Sequence, residues 1–373
     1  MPHYRLACTA CGKRHDPGVD ALRCRSCYAP LEVAYAVGGR LGPMGMPTPV
    51  HDPDNAVSLG EGRTPCIELP RMAHALGVGR LVAKLEYANP TGSFKDRGAA
   101  VMLSVMREFG VKELAEDSSG NAGASVAAYA ARAGIVAHIF APATAPAAKL
   151  GQIKVYGAQL HAIPGPREAA TDAAVAFQQE QRIPYASHNL SPYFVEGTKS
   201  FAYEAAEQLE DGLPMDVAMP VGNGSLFIGA WKGFRELLAA GRATRMPRLH
   251  AIQAVAAMPI AAAHKDQPWS PSGQRTIAGG IASVAPPRRD EMLRVLRETR
   301  GHAAAIEDAD ILRWQRLLAE QEGVYCEPTS AAVFAGIARL VAEGALDAKS
   351  SILAPITGSG LKDVPPTGKP PSR

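Results

Sequence analysis

Long hydrophobic runs and blocks of like charge are missing from this chain, and each lack removes a class of protein. No apolar stretch in the 373 residues approaches the roughly 20 that a bilayer-spanning helix needs. The formal charge is +3 and no long basic run occurs, so neither a membrane nor a nucleic-acid partner is expected. The opening MPHYRLACTACGKRH has no apolar core of a secretory signal, and the expectation is a cytoplasmic protein. Neither G-x-x-x-x-G-K-[ST] nor G-x-G-x-x-G is present, which leaves a nucleotide site poorly supported. What remains is an ordinary globular composition, 47% apolar and 20% charged, long enough for two or three packed units.

The few cysteines are unevenly placed. Cys66 and Cys326 stand alone and read as small buried residues, whereas Cys8, Cys11, Cys24 and Cys27 form C-x2-C-x12-C-x2-C. In a reducing compartment that cluster reads as a metal site rather than a disulfide framework. Four thiolates close a tetrahedron, which makes the expected zinc structural; four free thiols are the alternative. His15 is nearby but surplus. Residues 1–36, ending in the strand-like LEVAY, therefore read as a zinc-ribbon-like segment. Its surface lacks the basic and aromatic residues that would argue for nucleic acid.

Residues 37–53 are rich in Gly and Pro and read as a linker or surface arm. From about Ser58, strand-like runs (81–86, 135–141, 158–163, 216–221, 249–254, 351–356) alternate with amphipathic runs (98–109, 122–133, 168–181, 200–210, 309–321, 330–343). That alternation predicts an α/β fold with mainly parallel sheets. The Pro-rich tail, 364–373, is expected to be disordered.

Four strings sit where strand-like runs end or helices begin. NPTGSFKDRG (89–98) places Lys95 at the exit of a tight turn. A lysine so restrained, with its pKa lowered by burial, suits Schiff-base chemistry, although taken alone it reads more readily as a surface lysine beside Asp96 and Arg97. The Gly222-Asn223-Gly224-Ser225 loop offers backbone N–H groups to an anion, or is a plain strand-to-helix turn. DSSGNAGAS (117–125) gathers Ser118, Ser119 and Asn121 at a helix start, where they suit a carboxylate or act as caps. ITGSGLKD (356–363) sets Thr357 at the carboxyl end of a strand, the edge where α/β sheets collect ligands.

Taken in order, these strings, with EGRTP (61–65) and EGTKSFAYE (196–204), resemble the fold-type II pyridoxal-phosphate enzymes, and the threonine synthase family most closely, from about Ser58 to Asp363. The resemblance implies two three-layer α/β domains: a large pyridoxal-phosphate-binding domain (37–97 and 198–363) and a small mobile domain (98–197). It implies Lys95 as the Schiff-base lysine and proton shuttle. Asn121 would bond the ring hydroxyl, Gly222, Asn223, Gly224, Ser225 and Leu226 would cradle the phosphate, and Thr357 would face the ring nitrogen. Thr64, Ser118 and Ser119 would contact the substrate's carboxylate. For a second, substrate phosphate the candidates are Lys149, Lys154, Arg167 and the turn 187–189 with Asn189. The implied reaction converts O-phosphohomoserine and water to threonine and phosphate, in a homodimer acting on a small amino-acid substrate.

Two strings depart from the family pattern. The phosphate loop reads GNGSL rather than a GNAGN-like string, leaning toward the Ser/Thr dehydratases, and PGPREAATDAA replaces a GNFDDA-like string. β-Elimination or β-replacement on phosphoserine, serine or threonine is therefore the alternative activity. A non-catalytic, ribbon-bearing binding protein is the alternative of another class.

Overall fold

Runs of small apolar residues between Gly- and Pro-bearing turns become strands, and the Ala-rich amphipathic segments between them become covering helices. A computed structural model describes residues 3–36, 39–165, 167–209 and 212–363, so the Pro-rich tail lies outside the described residues. The strands are β1 (Tyr4–Cys8), β2 (Arg14–His15), β3 (Leu31–Tyr35), β4 (Cys66–Glu68), β5 (Arg80–Lys84), β6 (Glu113–Glu116), β7 (Val136–Pro142), β8 (Gln159–Ile163), β9 (Asp216–Pro220), β10 (Arg248–Ala254), β11 (Ala303–Ile306) and β12 (Ser351–Pro355). The helices are α1 (Pro70–Leu76), α2 (Lys95–Glu108), α3 (Asn121–Ala133), α4 (Ala147–Val155), α5 (Arg167–Gln181), α6 (Pro192–Thr198), α7 (Ser200–Gln208), α8 (Ser225–Ala239), α9 (Pro259–His264), α10 (Arg289–Thr299), α11 (Asp308–Glu322) and α12 (Pro328–Ala342).

The largest sheet has the order β11-β10-β9-β12-β5-β4, with β4 antiparallel at one edge and the rest parallel. Its central strands are buried on both faces, as parallel strands covered by helices must be. One face packs Leu81, Ala83, Ile352 and Ala354 against α1, α11 and α12. The other packs Val82, Val217, Met219 and Leu353 against α7, α8 and α10. A smaller parallel sheet, β6-β7-β8, lies between α3 and α5. Residue 185 bridges to β6 on its open edge.

The amino-terminal lobe is an antiparallel sheet, β2-β1-β3. Tyr4, Leu6, Leu31 and Val33 share one core with α2, α3 and α6 rather than forming their own. The Gly/Pro-rich arm does not hang free, because Lys199 and Arg242 donate to the carbonyls of Pro47 and Met44.

β1, β2, β4, β6, β11 and helices α1, α4, α6, α9 and α10 were not anticipated from sequence. ELAE and AAAI are too short and too poor in β-branched residues to show a strand period. Among the described residues, no helix is long and apolar enough to cross a membrane.

Candidate active site

The carboxyl ends of β6, β9 and β12 point to one edge, and the loops leaving them line a cleft of about 1910 Å³. Lys95 is the first residue of α2 and reaches that cleft. Its turn is held from several sides. Asp96, fully buried, accepts from the Thr91 amide (2.7 Å), the Thr91 hydroxyl (2.6 Å) and the Ser125 hydroxyl (2.6 Å). The Phe94 amide donates to the Thr357 carbonyl at 3.0 Å, which ties the lysine loop to the end of β12. Lys95 Nζ lies 4.7 Å from the Phe94 ring centroid and 5.7 Å from that of Phe194. Burial lowers its pKa to about 8, against the opposing pull of Glu116 and Glu327.

Opposite the lysine, β9 runs into Gly222–Ser225 and α8. Gly224 takes φ +83° at the helix N-cap, and a Cβ there would lie 2.3 Å from Met292 Sδ. Asn223 is held by the Ser283 hydroxyl at 2.7 Å. The result is a helix N-terminus without a side-chain cap in the lining of the cleft, suited to a phosphate.

At the start of α3, Asn121 donates to Glu327 at 3.0 Å while its Oδ1 is buried without a partner. Thr357 is buried and shares a 2.9 Å hydrogen bond with Ser330. Gly222, Asn223, Gly224, Ser225, Leu226, Ser118, Ser119, Asn121, Lys149, Asn189, Arg167 and Thr357 all line the cleft with Lys95. Lys149 is paired with Asp363 at 3.1 Å, and Lys154 is exposed on α4, outside the lining.

Thr64 is the departure. It is 1% exposed and takes part in a buried ion network instead of the cleft wall. Its hydroxyl donates to Glu86 (2.8 Å) and accepts from Arg97 (3.1 Å), whose guanidinium also binds Glu204 at 2.6 Å. Burial pushes Glu204 upward, but Arg97 and Lys84 outweigh it and hold the carboxyl at about 2. The Thr64 hydroxyl is thus committed to the scaffold, and the local string EGRTP could not show that.

Sequence reading missed Glu327, which sits between Asn121 and Thr357; burial raises its carboxyl above the usual range, against Lys149 and the Asn121 hydrogen bond. It also missed Glu116 and Asp117, and Arg288, which donates to Asn189, Leu190 and Leu31 carbonyls. The only available signal for Glu327 was its place before Pro328, where α12 opens.

The four clustered cysteines also converge, with Sγ atoms of Cys8–Cys27, Cys11–Cys27 and Cys11–Cys24 at 3.3, 3.5 and 3.8 Å. A zinc tetrahedron with bonds of about 2.3 Å has an edge of about 3.8 Å. Backbone amides of Ala10 and Cys11 donate to Cys8 Sγ, and that of Ser26 to Cys24 Sγ. The Ser26 amide holds the Cys24 thiol down at about 5, while Cys27 is pushed up to about 12, against the Ala29 amide, by the neighbouring Cys8 and Cys11 thiols.

The profile of the family described as pyridoxal-phosphate dependent enzyme matches residues 57–358. The threonine synthase of Methanocaldococcus jannaschii is 37% identical over 321 residues, covering 84% of this chain and 78% of the relative. That of Methanosarcina acetivorans is 32% identical over 377 residues, covering 96% and 92%, so the likeness extends into the cysteine lobe. Maize serine racemase shares the fold, with a TM-score of 0.70 at 23% identity over 83% of this chain and 94% of that one. The chain belongs to the pyridoxal-phosphate dependent enzyme family and groups with its threonine synthases.

Proposed function

We propose that the chain converts O-phosphohomoserine and water to threonine and phosphate. The observation that carries this reading is the convergence on one cleft of a restrained Lys95, the Gly222–Leu226 helix start, Asn121 and Thr357. The cleft fits pyridoxal phosphate: Asn121 Oδ1 is buried and unpartnered, and the loop at Gly224 leaves no room for a side chain. When bound, the cofactor supplies an electron sink that acidifies the hydrogen on the amino acid's Cα.

In this reading Lys95 holds the cofactor, and its amine, whose pKa burial lowers to about 8, takes and returns the protons at Cα and Cβ. The amides of Gly222, Asn223, Gly224, Ser225 and Leu226 hold the cofactor phosphate. Asn121 orients the ring. Thr357 offers the ring nitrogen a hydroxyl in place of a carboxylate, and that setting suits elimination and replacement at Cβ. Ser118 and Ser119, at the start of α3, take the α-carboxylate, while Lys149 and Asn189 face the leaving group. The unit 98–197 closes over the substrate as a lid and keeps water out until the last addition.

Cys8, Cys11, Cys24 and Cys27 hold a structural zinc. A cytoplasmic homodimer completes the reading, since closed dimers are the commonest assembly. Supplied with O-phosphohomoserine, the protein is expected to release phosphate and form threonine in equal amounts. Lys95→Ala is expected to lower the rate by a factor of about a thousand or more. Turnover of serine or threonine to ammonia, with phosphohomoserine inert, contradicts the proposal.

A further inference from the structure

One wall of the cleft carries a cluster that the reading above does not use. Glu116 ends β6, Asp117 follows it, and His188 lies on the loop before α6. Their exposures are 0%, 2% and 6%. One donor atom from each lies within 4.8 Å of the others. Asp117 and His188 line the cleft beside Lys95 and Ser118, with Glu116 behind them.

The hydrogen bonding of the cluster is incomplete in a particular way. His188 Nδ1 and Glu116 Oε1 are 2.5 Å apart. Asp117 Oδ2 is served by Arg167 at 3.2 Å and by the Thr171 hydroxyl, and the Tyr185 hydroxyl also faces Asp117. Yet Glu116 Oε2, Asp117 Oδ1 and the neighbouring Asn189 Oδ1 are all buried without a hydrogen-bond partner. Three orphaned oxygens beside an imidazole are acceptors without donors. Burying a carboxylate oxygen unpaired is costly; burial already drives the Glu116 carboxyl well above its usual range, and a bound cation would relieve the cost in place of a proton. Two carboxylates with an imidazole form a mixed O/N set that suits a first-row divalent ion better than Mg2+ or Ca2+, which prefer all-oxygen shells.

We propose that Glu116, Asp117 and His188 bind a divalent transition-metal ion, Mn2+ or Zn2+, in the wall of the cleft, at a site separate from the four cysteines. Bound there, the ion adds positive charge to the wall beside Arg167 and Lys95 and gives an anion, such as the phosphate of the proposed substrate, a docking point. That consequence rests on the threonine synthase reading; metal binding does not.

The test titrates the purified holoenzyme with MnCl2 and reads free Mn2+ by electron paramagnetic resonance. One bound Mn2+ per chain is expected, with affinity lowered at least about tenfold by Asp117→Asn and by His188→Gln, and unchanged by Lys154→Ala, a change at an exposed residue outside the cleft lining. No bound Mn2+, or binding indifferent to both substitutions, overturns the site. Because the variants change buried residues, Co2+ added to the zinc-loaded wild type gives an independent reading. Weak visible bands without a thiolate charge-transfer band support the site, and a thiolate band alone overturns it. Mn2+ is further expected to lower KM for O-phosphohomoserine at constant kcat, and an unchanged KM removes the docking role. A chain that binds Mn2+ but leaves phosphohomoserine untouched keeps the site and overturns the proposed function.

Discussion

Lys95 shows how much a single residue owes to its surroundings. Nothing in its own chemistry separates it from a surface lysine, whose pKa lies near 10.4. Burial lowers that value to about 8, while Glu116 and Glu327 pull it back up and Arg167 adds to the lowering. The sign matters for loading. A lowered pKa means that the neutral, nucleophilic amine predominates above about pH 8 instead of above pH 10. In protein stripped of cofactor, the rate at which the lysine-bound absorbance band appears on adding pyridoxal phosphate should rise with pH and reach half its plateau near 8. A profile still climbing at pH 10 would show an ordinary, solvated lysine.

At the scale of elements, the site depends on how closely α2 and α6 approach each other. A Cβ on Gly197 would lie 1.9 Å from the Arg97 carbonyl oxygen, and one on Gly98 would lie 2.4 Å from the Phe194 ring. Phe194 in turn packs beside Lys95. Gly197→Ala must therefore push the helices apart, at a cost of about 1–3 kcal/mol or more, and should lower kcat by displacing Lys95. Gly151→Ala, in α4 with nothing within 4 Å of the added atom, should be neutral or stabilising by about 0.5–1 kcal/mol. Denaturant midpoints and kcat measured on both variants check the contrast; equal effects would remove the argument from close packing.

The same scale explains what was legible in the sequence. The Lys95 turn, the Gly222–Ser225 loop and the start of α3 are local strings whose turn chemistry and helix starts lie within ten residues. Strands 80–84, 136–142, 159–163, 216–220, 248–254 and 351–355 came from the same kind of pattern. What stayed hidden is non-local. Thr64 looked available until Arg97 was seen to hold its hydroxyl. Glu116 and His188 lie 72 positions apart, and only the pairing of residue 185 beside β6 brings them together. Glu327 reaches Asn121 across 206 positions. Periodicity carries no information about such pairs.

For the whole molecule, the cysteine lobe is part of the cleft rather than an appendage. Lys13, Arg14, Arg23 and Arg25 are in the cleft wall, and the Tyr193 hydroxyl bonds both Tyr4 (3.4 Å) and the Gly18 amide (3.2 Å). Arg288, almost fully buried, spans from the Leu31 carbonyl of the lobe to the Asn189 and Leu190 carbonyls of the loop beside the site. The lobe is too small to bury a core alone and borrows that of α2, α3 and α6. If zinc fixes the two cysteine knuckles, its removal should loosen the lobe and the wall it forms, while Gly222–Leu226 and Thr357, which are carried on the large sheet, keep the cofactor. Chelation is then expected to lower Tm by a few °C, since domains of about 150–250 residues lose about 2–4 °C per kcal/mol and larger chains less. KM should rise through loss of the basic wall, the cofactor band should persist, and added Zn2+ should restore both Tm and KM. Thermal denaturation and steady-state kinetics before and after verified zinc loss decide the matter. Unchanged Tm and KM would make the lobe a passenger, and loss of the cofactor band would mean that it supports the large sheet as well as the cleft wall.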